Sequence, residues 1–129
     1  MAQRLVIPKT AVAATSRRLK QRRIECAAHL AAIRQLPCCV CGAEGQTEAA
    51  HLRMGKLKLA KPLTGMGTKP DDAWTTPLCN EHHRMQHGGS EATFWANHKI
   101  DPFLLALALW QATGDMQRME IIARMARNP

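Results

Sequence analysis

A nine-residue stretch of the chain carries four side chains of the kinds that bind transition metals or transfer protons near neutral pH. The stretch is CNEHHRMQH, residues 79–87, and it holds half of the six histidines in the 129-residue sequence. Its four reactive residues are Cys79, His82, His83 and His87. These side chains could serve one zinc ion, two metal ions, or a metal ion together with a catalytic base.

A C-x-x-C pair, Cys38 and Cys41, has the spacing of a zinc knuckle but supplies only two of the four ligands that a structural zinc requires. Cys79 and His82 form a C-x-x-H pair that supplies the other two. The sequence therefore predicts a Cys₃His zinc site that joins two distant segments and contributes folding free energy directly. Cys39 lies in the same turn as the knuckle, and we expect it to point elsewhere and to be buried.

Helix geometry separates the remaining histidines. At about 100° per residue, His83 and His87 lie roughly 40° apart on one helical face, while His82 lies on the side nearer Cys79. A His-x-x-x-His pair on one face is a common site for a divalent metal ion, so the sequence predicts a second metal there. Two alternatives stay open. In one, His83 and His87 complete a C₂H₂ finger with the C-x-x-C pair, although such fingers need about 12 intervening residues. In the other, they face solvent.

Capping residues and hydrophobic periodicity predict the elements that position these groups. A first helix is expected over residues 16–35, and short strands over residues 46–52 and 73–78. After Asn80, taken as an N-cap, come four further helices, three of them opened by Ser90, Asp101 and Asp115. Their expected ranges are 81–87, 91–98, 102–113 and 116–127. The helix over 102–113 is almost wholly apolar and should be buried or form an oligomer interface.

The charge of the chain indicates an anionic partner. The net charge is +8. Residues 1–36 contain eight basic residues and one acidic residue, and residues 51–69 contain five basic residues and no acid. Nucleic acid is the first expectation for a protein with this distribution. The second basic stretch falls in a loop over residues 53–70 that is rich in glycine and proline, and long loops in small domains tend to be functional.

The start of the chain lacks the long apolar region of a signal peptide, and no run approaches the length of a membrane span. The odd number of cysteines, three of them within four positions, fits metal binding better than a disulfide framework. We therefore expect a protein of the reducing cytoplasm with no membrane partner.

The arrangement of these motifs resembles the HNH endonucleases, and most of all their small prophage-encoded members. The resemblance covers residues 37–100 and rests on the C-x-x-C pair, AAHLR (residues 49–53), GMGTKPDD (65–72) and PLCNEHH (77–83) followed by a last histidine. It implies an α+β fold in which a ββα-metal core is held by a structural zinc. Residues 1–36 would form a basic arm and helix, and residues 101–129 a helical hairpin packed on this core in a single domain.

The resemblance also implies roles for individual residues. His51, at the end of the first strand, would be the general base that activates water, and His83 and His87 would hold a catalytic Mg²⁺, Mn²⁺ or Zn²⁺ ion. The sequence departs from the family at two positions. Ala50 stands where many members have a metal ligand, so a third ligand would have to come from Glu48, Asp71 or Asp72. No asparagine occupies the position that orients the base in many members, so another group must orient His51.

The function implied is metal-dependent hydrolysis of phosphodiester bonds in double- or single-stranded DNA, in phage or prophage DNA processing or recombination. The alternative is a zinc-stabilised DNA-binding or recombination accessory protein without catalysis. Lys61 is expected in the diffuse basic patch of the loop. The residues expected to contact DNA are Arg17, Arg18, Lys20, Arg22, Arg23, Arg53, Lys56, Lys58 and Lys69.

Overall fold

The computed structural model describes residues 23–64 and 69–127. Within these residues the chain forms five α-helices and one two-stranded antiparallel sheet, which confirms the mixed helix-and-sheet class. The elements in chain order are α1 (Ala27–Arg34), β1 (Thr47–His51), a short 3₁₀ turn (Leu57–Leu59), β2 (Thr75–Cys79), α2 (Asn80–His87), α3 (Glu91–Asn97), α4 (Pro102–Gln111) and α5 (Met116–Arg127).

The first helix is shorter than the sequence predicts. Residues 23–26 are not helical, so the expectation of one helix over 16–35 is wrong for this part, and residues 16–22 lie outside the described residues. The reason is a set of long-range hydrogen bonds. The Ile24 amide donates to the Asp71 carboxylate at 2.8 Å, and the Ile24 carbonyl accepts from the Asp72 amide at 2.9 Å. These contacts hold the backbone extended, because tertiary partners outweigh helix propensity.

Cys79 and His51 lie at opposite ends of the two-stranded sheet. Thr47 pairs with Cys79 and His51 pairs with Thr75. The first predicted strand is confirmed, and the second begins two residues later and ends one residue later than the expected 73–78. The shift brings Cys79 to the last strand position, directly before α2 begins.

Helices cover the sheet, and β2 is buried along its whole length. Both α1 and α2 contact the two strands, while α4 packs on β2 and α5 packs on α4. The hydroxyl of Thr75 donates to the Asp72 carbonyl, so this buried polar group is satisfied. The largest fully buried apolar side chains in this core include Ile33, Leu36, Leu52, Leu78, Trp95, Leu109 and Met119.

Three of the four predicted helix caps are confirmed. Ser90 Oγ accepts from the Thr93 amide at the start of α3, Asp101 Oδ1 accepts from two amides at the start of α4, and Asp115 Oδ1 accepts from the Arg118 amide in α5. Asn80 was expected to cap α2, but it is the first helical residue. Its side-chain amide instead donates to the Gln46 carbonyl and to the Glu48 carboxylate.

The apolar helix α4 is largely buried, as predicted. Phe103, Leu105 and Leu109 belong to the core, whereas Leu104 is exposed. After residue 101, α5 packs against α4. No helix within the described residues combines the length and the apolar character needed to cross a bilayer.

The end of α5 closes over the knuckle, and Gly42 makes this contact possible. Arg127 Nη1 donates to the Cys41 carbonyl at 3.0 Å. Gly42 has φ +78°, and a Cβ atom at this position would lie 2.1 Å from Arg127 Nη1. The left-handed backbone favours glycine here, and an added Cβ would also displace the Arg127 guanidinium, which lies at the end of a flexible side chain.

Gly42→Ala should lower the free energy of unfolding by about 2–3 kcal/mol, since it combines left-handed strain with displacement of Arg127. Gly45 provides the matched control. It has φ +85° with no atom within 4 Å of an added Cβ. Gly45→Ala should therefore lower the free energy of unfolding only through backbone strain, by about 1 kcal/mol. Urea denaturation of both variants with bound metal measures the difference. Equal losses for the two variants would show that the Arg127 contact contributes nothing.

Candidate metal and catalytic site

Four side chains from two distant segments converge at one end of the sheet. They are Cys38, Cys41, Cys79 and His82, and their ligand atoms all lie within 4.8 Å of one another. His82 Nδ1 lies 3.1 Å from Cys79 Sγ and 3.8 Å from Cys38 Sγ, and the sulfurs of Cys41 and Cys79 are 3.9 Å apart. Tetrahedral ligands at about 2.3 Å from zinc would place two sulfurs roughly 3.8 Å apart. The group can hold a metal ion, as the sequence predicts.

The backbone of the knuckle directs amide groups at one of these sulfurs. Burial alone would raise the pKa of Cys38, but amides of Cys41, Cys79 and Val40 donate to its sulfur and bring the pKa below its usual value. Donation to a thiolate stabilises the charged form that binds metal. Cys39 behaves differently, because it is fully buried and its burial raises the pKa of its thiol. Cys39 stands outside the group, as expected.

The histidines of α2 divide between two places. His82 faces the three thiols, whereas His83 and His87 face each other with their Nε2 atoms 3.0 Å apart. The C₂H₂ alternative, in which His83 and His87 would complete the knuckle, is therefore excluded. Two nitrogens in adjacent octahedral positions at about 2.1 Å from an ion are also roughly 3.0 Å apart. The spacing of this pair is thus compatible with a shared divalent ion.

A carboxylate is hydrogen-bonded to one histidine of the His83–His87 pair. His83 Nδ1 is hydrogen-bonded to Glu48 Oε2 on β1, so Nε2 is the nitrogen left to bind an ion. The Asn80 amide, in the orientation that satisfies it, donates to Glu48 Oε1 at 2.8 Å. Partial desolvation, together with the charges of His83 and Arg53, lowers the pKa of His87 and favours the neutral, metal-binding form.

None of the three carboxylates proposed as a third ligand joins this pair in the structure. Glu48 contacts the opposite nitrogen of His83, while Asp71 and Asp72 bind the backbone of residues 23–26. Ala50, at the position where the resemblance implies a metal ligand, is fully buried and serves in packing. Among the described residues, the Cys₃His group is the one set of three or more His, Cys, Asp or Glu side chains arranged for a metal.

His51 has an orienting partner that sequence reasoning did not identify. Its Nε2 lies 2.9 Å from Asp72 Oδ1. An ionised Asp72 accepts a hydrogen bond from Nε2–H, so the lone pair of the neutral ring lies on Nδ1. No hydrogen-bond partner for Nδ1 occurs in the described part of the chain, and Nδ1 is not among its buried unpaired atoms. A water molecule can therefore reach this nitrogen.

Asp72 is held from several sides. It is only 4% exposed, and its carboxylate accepts from the Cys26 amide at 2.8 Å and from Arg23 Nη1 at 3.0 Å. Burial alone would raise its pKa, but hydrogen bonds from His51 and Cys26 and the charge of Arg23 together bring the pKa below its usual value. Asp72 therefore stays ionised at neutral pH. The adjacent acids of the DD motif are the signal present in the sequence, but the side-chain partners of these acids lie 21 to 49 residues away.

The described basic residues are exposed, engaged in ion pairs, or buried. Arg53, Lys56, Lys58 and Lys69 are exposed, as a DNA contact requires. The Arg23 guanidinium is engaged with Asp72, Glu25 and the Pro70 carbonyl. Lys61 is buried, 3% exposed, so its assignment to a diffuse surface patch is wrong. The remaining residues expected at DNA lie outside the described residues; these are Arg17, Arg18, Lys20 and Arg22.

The two other histidines, His29 and His98, make structural contacts. His29 is fully buried, and its Nδ1 lies 2.7 Å from Thr113 Oγ1, which ties α1 to the end of α4. Burial lowers the pKa of His29. His98 packs edge-on against the rings of Phe94 and His82.

A family model described as Protein of unknown function (DUF968) matches residues 3–113. The chain belongs to this family. The DUF968 match spans the knuckle, both strands, α2 and the whole of α4, so it includes every side chain of the Cys₃His group and of the two histidine sites. No curated protein and no solved structure matches the chain.

Proposed function

We propose that this DUF968 protein is a metal-dependent HNH endonuclease that hydrolyses DNA phosphodiester bonds. The observation that carries the proposal is the division of the α2 histidines. His82 lies beside the three cysteine thiols. His83 and His87 face each other, and His83 is hydrogen-bonded to Glu48. A zinc ion in the Cys₃His group would hold the core, which leaves the histidine pair available for chemistry.

His51 would act as the general base. With its Nε2 proton directed at Asp72, the Nδ1 lone pair can accept the proton of a water molecule that attacks the scissile phosphorus. His83 and His87 would hold a divalent ion, which supplies positive charge to the phosphate oxygens as negative charge grows in the transition state. Asp72 would be a positioning residue, because it acts through His51 and not on the substrate.

The exposed cations would supply affinity for DNA without sequence preference, since contacts to phosphates fix position and not sequence. Arg53, Lys56 and Lys58 follow His51 along the chain and are solvent-exposed. We place the protein in phage or prophage DNA processing or recombination, in the cytoplasm of the host cell, on the basis of its resemblance to the prophage-encoded nucleases.

A second candidate function is a zinc-stabilised DNA-binding or recombination accessory protein without catalysis. The observation that favours it is the buried Ala50 at the position of a metal ligand, which leaves two protein ligands at the histidine pair among residues 23–64 and 69–127. The two candidates differ in whether the pair binds an ion that the reaction needs.

His87→Ala separates the two candidates. We expect this variant to keep one zinc ion per chain and its thermal stability, but to lose Mn²⁺ binding and roughly 10²-fold or more of the plasmid cleavage rate. Met85→Ala is the matched control, because Met85 is an exposed residue of the same helix. Zinc content, Mn²⁺ titration and supercoiled-plasmid assays with Mg²⁺ or Mn²⁺ provide the measurements. Wild-type protein that cuts neither plasmid nor single-stranded DNA with any divalent metal would favour the accessory function.

A further inference from the structure

A cavity of about 170 Å³ lies between the loop after β1 and the segment that precedes β2. Its volume is several times the roughly 30 Å³ that a water molecule occupies. The chemistry of its wall is unusual for a small protein, because it brings three cations together beside one aromatic ring and one carboxylate. The lining side chains that matter here are Arg23, Lys61, Lys69, Asp71, Trp74 and Thr64.

Lys61 is the informative residue of this wall, because it is buried and forms no ion pair with any residue that the structure describes. The residue is 3% exposed, and its ammonium donates to two neutral acceptors, the carbonyls of Met54 and Pro62. Its Nζ also lies 5.9 Å from the centre of the Trp74 ring. Within the described parts of the chain, no carboxylate lies within 4.0 Å of Nζ. An ammonium has three donors, so one remains for a ligand.

A buried charge is costly unless an opposite charge or several hydrogen bonds compensate it. Burial accordingly lowers the pKa of Lys61, against the charges of Glu91 and Asp71. The Asp71 carboxylate, the acid of the wall, already accepts the Ile24 amide. Lys69 adds a further positive charge, whereas the charge of Arg23 is compensated by its ion pairs with Asp72 and Glu25. The wall as a whole therefore favours an anion over a neutral or cationic ligand.

The loop is folded tightly enough to keep this arrangement. The backbones of Lys56 and Lys61 pair in both directions, at 2.9 and 3.1 Å. Gly55 approaches Leu63 so closely that a Cβ atom at Gly55 would lie 2.9 Å from the Leu63 nitrogen. Lys61 is thus positioned by backbone contacts on both sides, and does not depend on the ligand for its place.

We propose that this cavity binds a phosphate group, with Lys61 at its buried side and Arg23 and Lys69 beside it. Tetrahedral phosphate accepts hydrogen bonds in several directions, which suits three converging cationic side chains. The same Arg23 also binds Asp72, the partner of His51. Assignment of this phosphate rests on the proposed nuclease function, under which the cavity would hold a phosphate of the substrate strand other than the one that is cut.

Two titrations test the proposal, and neither of them depends on cleavage. Inorganic phosphate is titrated by calorimetry, and a fluorescently labelled single-stranded oligonucleotide is titrated by anisotropy in the absence of divalent metal. Lys61→Met keeps the stem of the side chain and removes the charge, and we expect it to weaken binding of both ligands at least 10-fold. Lys69→Ala, at an exposed position, should weaken binding about 3-fold. Lys58→Ala is the control, an exposed cation of the same loop outside the cavity, and should change the affinity for inorganic phosphate by less than 2-fold.

Each outcome of these titrations has a defined meaning. If Lys61→Met weakens the binding of both inorganic phosphate and the oligonucleotide, the result supports a site for the phosphates of a nucleic acid. Loss of inorganic phosphate alone supports the phosphate site and assigns it to a free phosphate or small phosphoester. Loss of the oligonucleotide alone supports a site that needs the polymer. If Lys61→Met does not fold, Lys69→Ala decides between the same outcomes. Wild-type protein that does not bind phosphate, together with oligonucleotide binding that is equal in the cavity variants and Lys58→Ala, overturns the proposal whether or not the protein cuts DNA.

Discussion

Replacing His51 by alanine is expected to lower the metal-dependent cleavage rate by roughly 10²–10⁴-fold, because a positioned general base contributes about that factor. The substitution should leave the fold and the zinc content unchanged. The His51 side chain is 22% exposed, so its truncation should lower the free energy of unfolding by about 1–2 kcal/mol, but Asp72 keeps the Cys26 amide and Arg23 as partners. Cleavage of supercoiled plasmid under single-turnover conditions, with the metal held in excess, measures the effect.

Asp72→Asn is the companion variant for this prediction. The amide side chain keeps the size of the carboxylate but no longer carries the charge that selects the tautomer with the proton on Nε2. We expect a rate roughly 10-fold lower or more, together with a displaced pH–rate profile for cleavage, which a purely structural defect would not produce. If His51→Ala cuts DNA as fast as wild type, His51 is not the base and the proposed mechanism fails.

Replacing Cys79 by alanine is expected to remove the bound zinc and with it the cooperative fold. Binding of structural zinc contributes on the order of 10–16 kcal/mol in zinc-finger peptides at neutral pH, which exceeds the stability of most small domains. Cys79 is the last residue of β2 and immediately precedes α2, so loss of this ligand also separates the knuckle from the helix. Metal analysis by mass spectrometry and thermal unfolding followed by circular dichroism are the measurements.

Cys39→Ala is the matched control for the zinc prediction, since Cys39 lies between the two knuckle ligands and is fully buried outside the metal group. It should keep one zinc ion per chain and lower the free energy of unfolding by only about 1 kcal/mol, as expected for a small change in packing. Loss of zinc in Cys39→Ala, or its retention in Cys79→Ala, would show that the ligand set has been assigned incorrectly.

The sequence was sufficient to predict those features that depend on interactions between residues close together in the chain. Spacing alone assigned Cys38, Cys41, Cys79 and His82 to one group, because a C-x-x-C turn and the start of a helix have nearly fixed geometry. The same helical geometry separated His82 from His83 and His87. The caps of the later helices were predictable for the same reason, since a capping side chain contacts amides two or three residues away.

The remaining features depend on contacts between distant residues, which one sequence does not reveal. The helix near the N-terminal end begins at Ala27 because Asp71 and Asp72 bind the preceding backbone, and the same Asp72 orients His51. Glu48 reaches His83 across the sheet–helix boundary. A lysine in a basic loop is normally solvated, so nothing in the sequence marks Lys61 as buried.

The division of the α2 histidines between two metals is tested most directly by anomalous scattering from crystals grown with zinc and then equilibrated with Mn²⁺. We predict two separate peaks. The zinc peak should be surrounded by Cys38, Cys41, Cys79 and His82, and the manganese peak should lie between His83 and His87. A single metal bound jointly by the cysteines and by His83 or His87 would contradict the account.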